Sequence, residues 1–207
     1  MNKFLFLFAI AGAFMACEQT YTETVSYRVN EPVFMPASEF RSSVKVSSEP
    51  HTLSSYGKIC FYDGYLYISE PKKGIHIIDN RNPALPKLSG YIELLGNFDL
   101  AIRNDLLYAD SYIDLVWFDI SNPEQPQLKG RLEEAFPEAL PVIDNEYGYD
   151  HSLCYSDESK TNGIIVGWEL KTKSENYKYT SSWWSSREDM MMNGPTGSSN
   201  LFTSNRK

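Results

Sequence analysis

Two aspartates of this sequence, Asp79 and Asp119, occupy the same place in a segment that is written twice, and each is followed by an Asn-Pro pair, at Asn82 and at Asn122. A carboxylate that recurs in this way either binds a cation such as calcium or accepts backbone N–H groups of its own turn. A residue needed once in every repeat is usually architectural. We therefore predict that these four residues form structural turns.

Carboxylates that do not repeat are the candidates for catalysis. Asp110, Asp114 and the neighbours Asp157 and Glu158 lie near predicted turns and loops. Glycosidases hold two carboxyl groups roughly 5 to 10 Å apart, and the sequence alone brings no two of these acids that close. A glycan-processing enzyme, or an accessory to one, is therefore the alternative function, and no residue is assigned a catalytic role.

The three histidines, His51, His76 and His151, do not form a recognisable catalytic or metal-binding pattern. A general base or a metal ligand is usually found beside a carboxylate. Only His151 has one as its neighbour, Asp150, and neighbours on a strand point to opposite faces. His76 lies among the apolar residues of a predicted strand. Because no zinc-ligand spacing, phosphate loop or nucleophile motif occurs, we predict neither a metal site nor a cofactor.

Aromatic residues that do not repeat offer a second kind of chemistry. Tyr112 and Trp168, together with Asp114, are the candidate ligand face, because aromatic rings beside a carboxylate can bind a sugar ring or a protein side chain. The other interpretation is that both rings pack in the interior. Tyr67 and Tyr108 recur in phase and are assigned to packing.

The elements that position these residues follow from the doubled segment. Leu66-Tyr67 returns as Leu107-Tyr108, and Ile75 to Asp79 returns as Leu115 to Asp119. Each copy contains four short apolar runs separated by turn residues, and a period of about 40 residues with four strands is typical of one β-propeller blade. The fold class is therefore all-β: an incomplete or truncated propeller-like array of about three four-stranded antiparallel units. The units are placed at 57–92 and 97–132, with a degenerate third unit, including strands over 147–155 and 163–170, at 145–172.

The third predicted strand of each copy carries a family resemblance. Gly74 to Asp79 and Leu115 to Asp119, each followed by Asn-Pro, resemble the LVIVD repeat, although Ile78 and Phe118 stand where the repeat usually has Val. The resemblance implies a β-propeller fold in an exported bacterial protein, and many members of this kind are lipoproteins.

The first sixteen residues predict an exported protein. A positive start at Lys3 precedes an apolar run that is too short to span a membrane. The segment from Phe14 to Cys17 resembles the lipobox of bacterial lipoproteins. This resemblance implies cleavage before Cys17 and acylation of its thiol, which incorporation of labelled palmitate would report. The alternative is an ordinary secreted protein that is cleaved near Ala16. We expect a membrane partner through this lipid and a location in the cell envelope, at the outer membrane or cell surface.

Charge and cysteine content narrow the remaining possibilities. The formal net charge is −8, which disfavours nucleic acid as a partner because phosphate contacts need Lys and Arg. Cys60 and Cys154 are either bridged, as an oxidising compartment allows, or are buried thiols in strands, which the sequence favours.

The predicted domain order is a signal peptide at 1–16, a polar tether at 17–50 that could donate one strand, repeats within 51–180, and a low-complexity tail at 181–207. Propellers typically need about four to eight blades. Three units imply a truncated product of a longer gene, an oligomer that closes in trans, or an open assembly, and we favour truncation. The predicted function is a lipid-anchored, non-enzymatic binding module for a protein or glycan ligand.

Overall fold

A computed structural model describes residues 19–49, 51–143, 146–156 and 161–181. The predicted signal peptide, Cys17, Asp157, Glu158 and the tail from residue 182 onward lie outside the described residues. The elements in chain order are β1 (Gln19–Met35), α1 (Ala37–Ser42), β2 (Lys45–Ser47), β3 (Ile59–Tyr62), β4 (Tyr65–Glu70), β5 (Gly74–Asp79), β6 (Lys87–Glu93), β7 (Leu100–Arg103), β8 (Leu106–Ser111), β9 (Asp114–Asp119), β10 (Gln127–Leu132), α2 (Ser152–Tyr155) and β11 (Ile164–Ser181).

The first copy of the doubled segment forms an antiparallel sheet whose strand order is β2-β6-β5-β4-β3. Four strands come from the repeat, as predicted, and β2 joins at the edge beside β6. The turn between β3 and β4 places Asp63 and Gly64 at φ of 44° and 78°, the positive values that a two-residue hairpin of matching twist requires. Asp-Gly is the dipeptide best suited to this turn, so the hairpin follows directly from the sequence.

The second copy forms a four-stranded antiparallel sheet in the order β10-β9-β8-β7. Its first turn uses Asn104 and Asp105, again with positive φ values of 49° and 60°. The four strands begin and end close to the predicted positions, and both copies share the same up-and-down order. The all-β class with propeller-like antiparallel units is therefore confirmed for the two copies.

The core of these two sheets lies between them. Tyr67, Ile75 and Ile77 of the first sheet and Leu107 and Phe118 of the second are fully buried in a single apolar cluster. Fully burying a side chain of this size contributes about 1.5–3 kcal/mol each. Since every one of these residues comes from a repeated strand, the repeat forms the core by covering one sheet with the other.

Because neighbouring strands run in opposite directions, the connecting loops of each sheet lie at two opposite ends of its strands. In each repeat, the turn between the first and second strands and the turn between the third and fourth strands lie at the same end of the sheet. We call this end the turn edge, and it holds Asp63, Asp79, Asn104 and Asp119. The connections between strands two and three lie at the opposite edge, which we call the variable edge: it holds residues 70–74 in the first copy and 111–114 in the second.

The chain outside the two copies departs from the predictions. The stretch 17–50 was expected to be a tether, but from residue 19 it contributes β1, α1 and β2, and Phe40 of α1 is 1% exposed. The strand expected over Tyr147–Tyr155 is corrected: Ser152–Tyr155 is a helical turn, because Asp150 accepts hydrogen bonds from the Ser152 N–H and hydroxyl at 2.9 and 2.6 Å. The strand expected at 163–170 is present as the start of β11, but β11 pairs with β1 in a two-stranded sheet instead of completing a four-stranded unit.

The described residues divide into two compact units, one within Asn30–Leu170 and a second that contains residues 19–29 and 171–181. In the second unit, polar side chains of β1 and β11 bond one another: Thr24 donates to Asn176 at 2.7 Å, and the hydroxyls of Ser26 and Ser174 are 2.8 Å apart. The two repeat sheets and the candidate site lie within Asn30–Leu170.

The two described cysteines are free thiols, as in the unbridged alternative, but only Cys60 lies in a strand, so the strand expected around Cys154 is corrected. Cys60 donates to the Leu100 carbonyl at 3.6 Å across the two sheets, whereas Cys154 lies in α2 and donates to the Asp150 carbonyl at 3.7 Å. Burial raises the pKa of Cys154 to about 11, so this thiol is unreactive at neutral pH. Within the described ranges, no helix has the length and apolar character needed to cross a membrane.

Candidate functional site

Asp79 closes the turn that joins β5 to β6 at the turn edge. Its carboxylate accepts the backbone N–H of Arg81 at 3.0 Å and the guanidinium of the same residue at 2.9 and 2.6 Å. These hydrogen bonds hold the pKa of Asp79 at about 2. Asn82 then accepts the backbone N–H of Ala84 at 3.2 Å, so both side chains bond within their own turn.

Asp119 repeats this arrangement in the second copy. It accepts the hydroxyl of Ser121 at 2.6 Å and the backbone N–H of Ser121 at 3.0 Å, and the hydroxyl is the main cause that lowers the pKa of Asp119 to about 2. Asn122 accepts the backbone N–H of Glu124 at 3.2 Å. The two copies thus share the Asp and Asn hydrogen bonds that continue the chain into the fourth strand, which is the geometry of a structural turn.

The variable edge of the second copy contains a fully buried carboxylate. Asp114 accepts hydrogen bonds from Arg41 Nε at 3.0 Å, Arg131 Nη1 at 2.8 Å and the backbone N–H of Glu134 at 2.9 Å. Burial by itself raises the pKa of Asp114, but the hydrogen bonds from Arg41, Glu134 and Arg131 outweigh it, and the pKa lies below its ordinary value. Because a buried charge is stable only when it is paired and bonded, Asp114 fixes three separate segments at one point.

Arg41 also contacts solvent-facing acid. Its Nη1 lies 2.7 Å from Glu133, while the guanidinium of Arg131 stacks over the Phe40 ring at 5.6 Å from the centroid. Arg41 comes from α1, so the segment expected to be a tether supplies one half of this ion-pair network. The network positions α1 against the second sheet.

Tyr112 lies next to this network but faces the interior. It is 7% exposed, its ring centroid is 6.0 Å from that of Phe40, and its hydroxyl donates to the Val166 carbonyl at 2.7 Å. Its φ of 49° is in the left-handed region, and the ring lies so close to Gly96 that a β-carbon there would overlap it at 2.3 Å. The interior alternative therefore describes the position of Tyr112 better than an exposed ligand face does.

A cleft of about 220 Å3 opens beside the Asp114 network. Its walls are mainly apolar, with the charged groups of Arg41 and Glu134 and the buried thiol of Cys154. Apolar walls with a few fixed polar groups are typical of sites that bind another molecule. The rest of the lining comes from Phe34, Ala37, Ile113, Pro137, Ala139, Leu140, Tyr155, Gly163, Ile164 and Ile165.

Trp168 is half-buried and lies apart from the cleft lining. Its ring nitrogen donates to the Pro141 carbonyl at 2.8 Å, and its ring packs on Tyr149 with centroids 5.1 Å apart. The structure brings Tyr112 and Asp114 to one loop, where they support the cleft from behind, but it does not bring Trp168 to the same surface. As ligand contacts, the three residues remain a prediction.

The first copy contains a second buried carboxylate at the variable edge, which sequence reasoning missed. Glu70 is fully buried and accepts hydrogen bonds from His76 Nε2 at 2.6 Å, from Lys73 at 2.8 Å and from the hydroxyl of Ser54. Burial raises the pKa of Glu70, but the bonds from Lys73, Ser54 and His76 outweigh it and lower the pKa to about 2. Glu70 is therefore ionised at neutral pH, and His76 Nε2 carries the hydrogen.

Aromatic rings enclose the other side of His76. Its ring lies 4.7 Å from Tyr91 and 5.9 Å from His51, and His51 stacks on Tyr91 at 4.5 Å. His76 Nδ1 is buried and has no hydrogen-bond partner among the described residues. The sequence carried one signal for this pair, a break in the repeat: the residue that corresponds to His76 in the second copy is the apolar Val116. In the structure His76 of β5 is paired with Ile68 of β4, two residues before Glu70 on the same strand.

The remaining candidate acids and histidines do not converge. Asp110 accepts the backbone N–H groups of Phe98 and Asp99 at 2.8 and 2.9 Å, and burial raises its pKa. It shares no partner with Asp114 within the part of the chain that the structure describes. His151 packs on Tyr155 with centroids 4.3 Å apart. Across the described ranges, no three His, Cys, Asp or Glu side chains are grouped closely enough to hold a metal ion.

Comparison with known protein families matches the LVIVD repeat twice, at residues 57–93 and 98–133. Each match contains the four repeated strands of one sheet, so the chain carries two LVIVD repeats and the resemblance is confirmed. No curated protein matches the chain, and no solved structure does.

Replacing Glu70 by Gln should lower the free energy of unfolding at neutral pH by about 1–3 kcal/mol, because charged hydrogen bonds from Lys73 and His76 are weakened. The folded-state pKa of about 2 lies below the ordinary value of 4.5. The advantage of the unmodified protein is therefore fully present above pH 4.5 and disappears as the pH falls towards 2. Urea unfolding at a series of pH values measures it.

The matched control is Glu23→Gln, the same substitution at an exposed residue. The free energy of unfolding of this variant should equal that of the unmodified protein at every pH. A Glu70→Gln difference that stayed constant from neutral to acidic pH would show that the carboxylate charge does not stabilise the fold.

Proposed function

We propose that this protein is a lipid-anchored component of the bacterial cell envelope whose two LVIVD repeats form a non-enzymatic binding module. The observation that carries the proposal is the cleft of about 220 Å3 at the variable edge, whose lining includes Arg41, Glu134 and Ile113. None of these residues belongs to the repeated turn pattern. The repeated strands build the scaffold, and the surface that can recognise a partner is lined by residues outside both repeats, with the exception of Ile113.

The charged network favours a rigid site. Asp114 joins Arg41, Arg131 and the Glu134 backbone by bonds of 2.8 to 3.0 Å. The side chain of Arg41 and the backbone of Glu134, two residues that line the cleft, are therefore held in place before any partner arrives. A preformed site loses less conformational entropy on binding than one that must be ordered.

The chemistry of the cleft favours a protein partner over a glycan. Its walls are mainly aliphatic, and aliphatic walls match an apolar side chain of a protein. Sugar rings usually stack on accessible aromatic faces, and the lining has two aromatic residues, Phe34 and Tyr155. Tyr155 already packs on His151 with centroids 4.3 Å apart and donates its hydroxyl to the Glu138 carbonyl, and Tyr112 is 7% exposed and does not line the cleft. The partner that fits is a protein segment that inserts an apolar side chain near Arg41.

The alternative, a glycan-processing enzyme, has less support. Such an enzyme needs two carboxyl groups facing one substrate. Asp114 is bonded by two arginines and a backbone N–H, and Asp110 is bonded by Asn97 and two backbone N–H groups. These acids stabilise loops, and neither lines the cleft.

The anchor is tested at Cys17. Cells that produce the full chain in the presence of radiolabelled palmitate should incorporate label, and Cys17→Ala should abolish it because the acylated thiol is gone. Cys60→Ala, the same change at a free thiol in the repeats, should keep the label. Label that persisted in Cys17→Ala would contradict anchoring at this residue.

The cleft is tested by placing the photoreactive residue p-benzoylphenylalanine at Leu140, in the cleft lining, and at Leu85, which is 62% exposed in the turn that follows β5. Irradiating the bacterium that produces the protein should give one discrete cross-linked product at position 140 and none at position 85. Protease treatment should degrade the cross-linked partner, as expected if that partner is a protein.

An added mass that resisted protease but was removed by a glycosidase would identify the partner as a glycan instead of a protein. Equal cross-linking at both positions, or none at 140, would contradict a binding role for the cleft.

A further inference from the structure

The two repeats meet through opposite faces. In the first sheet, Tyr67 and Ile77 point into the shared core. Their counterparts one repeat later are Tyr108 and Trp117, which are paired across β8 and β9 and lie on the face of the second sheet that points away from the core. The second sheet instead buries Leu107 and Phe118, whose counterparts in the first sheet are Leu66 and Ile78. Each repeat therefore presents a different face to its neighbour.

The outer face of the first sheet consequently has the composition of a buried face. Strand pairing aligns Phe61, Leu66, Ile78 and Leu88 in one row across β3, β4, β5 and β6. The corresponding row in the second sheet, which faces the core, is Ile102, Leu107, Phe118 and Leu128.

The exposure of the two rows differs because only one of them is covered. Leu107 and Phe118 are fully buried. Phe61 is 63% exposed and Ile59 on the same face is 50% exposed, whereas Leu100, the counterpart of Ile59, is 3% exposed. At the fourth strand the two rows are alike, because Leu88 is 39% exposed and Leu128 is 45% exposed. An array of apolar side chains this exposed is unusual on a monomer and marks a surface of interaction.

Another segment covers only the far end of this outer face. His51 stacks on Tyr91, and Ser54 bonds Glu70, so residues 51–54 lie over the row that contains His76. The row that begins at Phe61 is farther from the variable edge. It is left accessible in the part of the chain that the structure describes.

The complementary surface occurs on the same chain. The outer face of the second sheet carries Tyr108, Leu115, Trp117 and Leu132, which correspond to the core residues of the first sheet. Leu132 is 55% exposed, while its counterpart Ile92 is fully buried against the second sheet. The two outer faces are thus the two halves of the interface that the repeats already form inside the chain.

We propose that a second copy of this chain docks the outer face of its second sheet onto the outer face of the first sheet, in a head-to-tail contact that repeats the internal interface. The occupant is a second copy because one chain carries both complementary halves. A contact between two different faces is heterologous, so it extends to further copies and either closes into a ring or continues as a filament. The row around Phe61 and the face around Leu132 are the two contact surfaces.

The test is sedimentation-velocity ultracentrifugation of the full chain in detergent. The unmodified chain should sediment as assemblies of at least two copies, in proportions that rise with concentration. Phe61→Asp and Leu132→Asp each place a charge on one contact surface and should sediment as single copies. The control Leu85→Asp changes a residue of matching exposure, 62%, at the turn edge, and should assemble like the unmodified chain.

Mixing the two disrupted variants tests the head-to-tail mode itself. Phe61→Asp keeps its second-sheet face and Leu132→Asp keeps its first-sheet face, so an equimolar mixture should form a dimer with one copy of each and nothing larger. A single-copy sedimentation of the unmodified chain at every concentration would overturn the proposal. Assembly of Phe61→Asp or Leu132→Asp like the unmodified chain, or no dimer in the mixture, would also overturn it. Circular dichroism of each variant verifies that it is folded.

Discussion

The covering of one sheet by another is the constraint on which the other features of this protein depend. Each LVIVD repeat is a small antiparallel sheet with apolar residues on both faces, and such a sheet is not stable alone in water. The chain satisfies this requirement by packing Tyr67 and Ile77 of the first repeat against Leu107 and Phe118 of the second. The residues that meet are not repeat counterparts, because the counterparts of Tyr67 and Ile77, which are Tyr108 and Trp117, lie on the other face of the second sheet.

The antiparallel order of the strands also separates the turns that the two repeats share from the loops that differ between them, because these lie at opposite ends of the sheets. At the turn edge, Asp79 and Asp119 each bond a backbone N–H two residues ahead, so one local solution serves both repeats. At the variable edge, each repeat buries a different carboxylate with different partners. Asp114 is held by two arginines and Glu70 by Lys73 and His76. Because burying a charge costs several kcal/mol unless it is bonded, each network also fixes the chain segments that supply its donors.

Much of the fold could be predicted because it follows from short-range patterns. The hairpin at Asp63-Gly64 needs only a tight turn between two apolar runs, and the structure has it. The helical turn at Ser152–Tyr155 was missed because the Asp150 hydrogen bonds that start it resemble, in sequence, any polar turn.

The candidate site was predictable only in part. Tyr112 and Asp114 stood out because they do not repeat, and they do lie beside the cleft. Their burial could not be predicted, because Arg41, the partner of Asp114, is 73 residues away in the sequence. The pair Glu70 and His76 was missed for a related reason: the residues are six apart on two strands, and only the register of β4 and β5 brings their side chains together.

Hydrogen exchange measured by mass spectrometry on Leu107→Ala tests the shared core most directly. Leu107 lies only in the second sheet and is fully buried, and the substitution should cost about 2–5 kcal/mol. If the repeats stabilise each other, the amides of β4 and β5 in the first sheet lose protection together with those of β8 and β9, while Leu85→Ala, at a residue 62% exposed, changes neither. Loss of protection confined to the second sheet would contradict mutual covering as the source of stability.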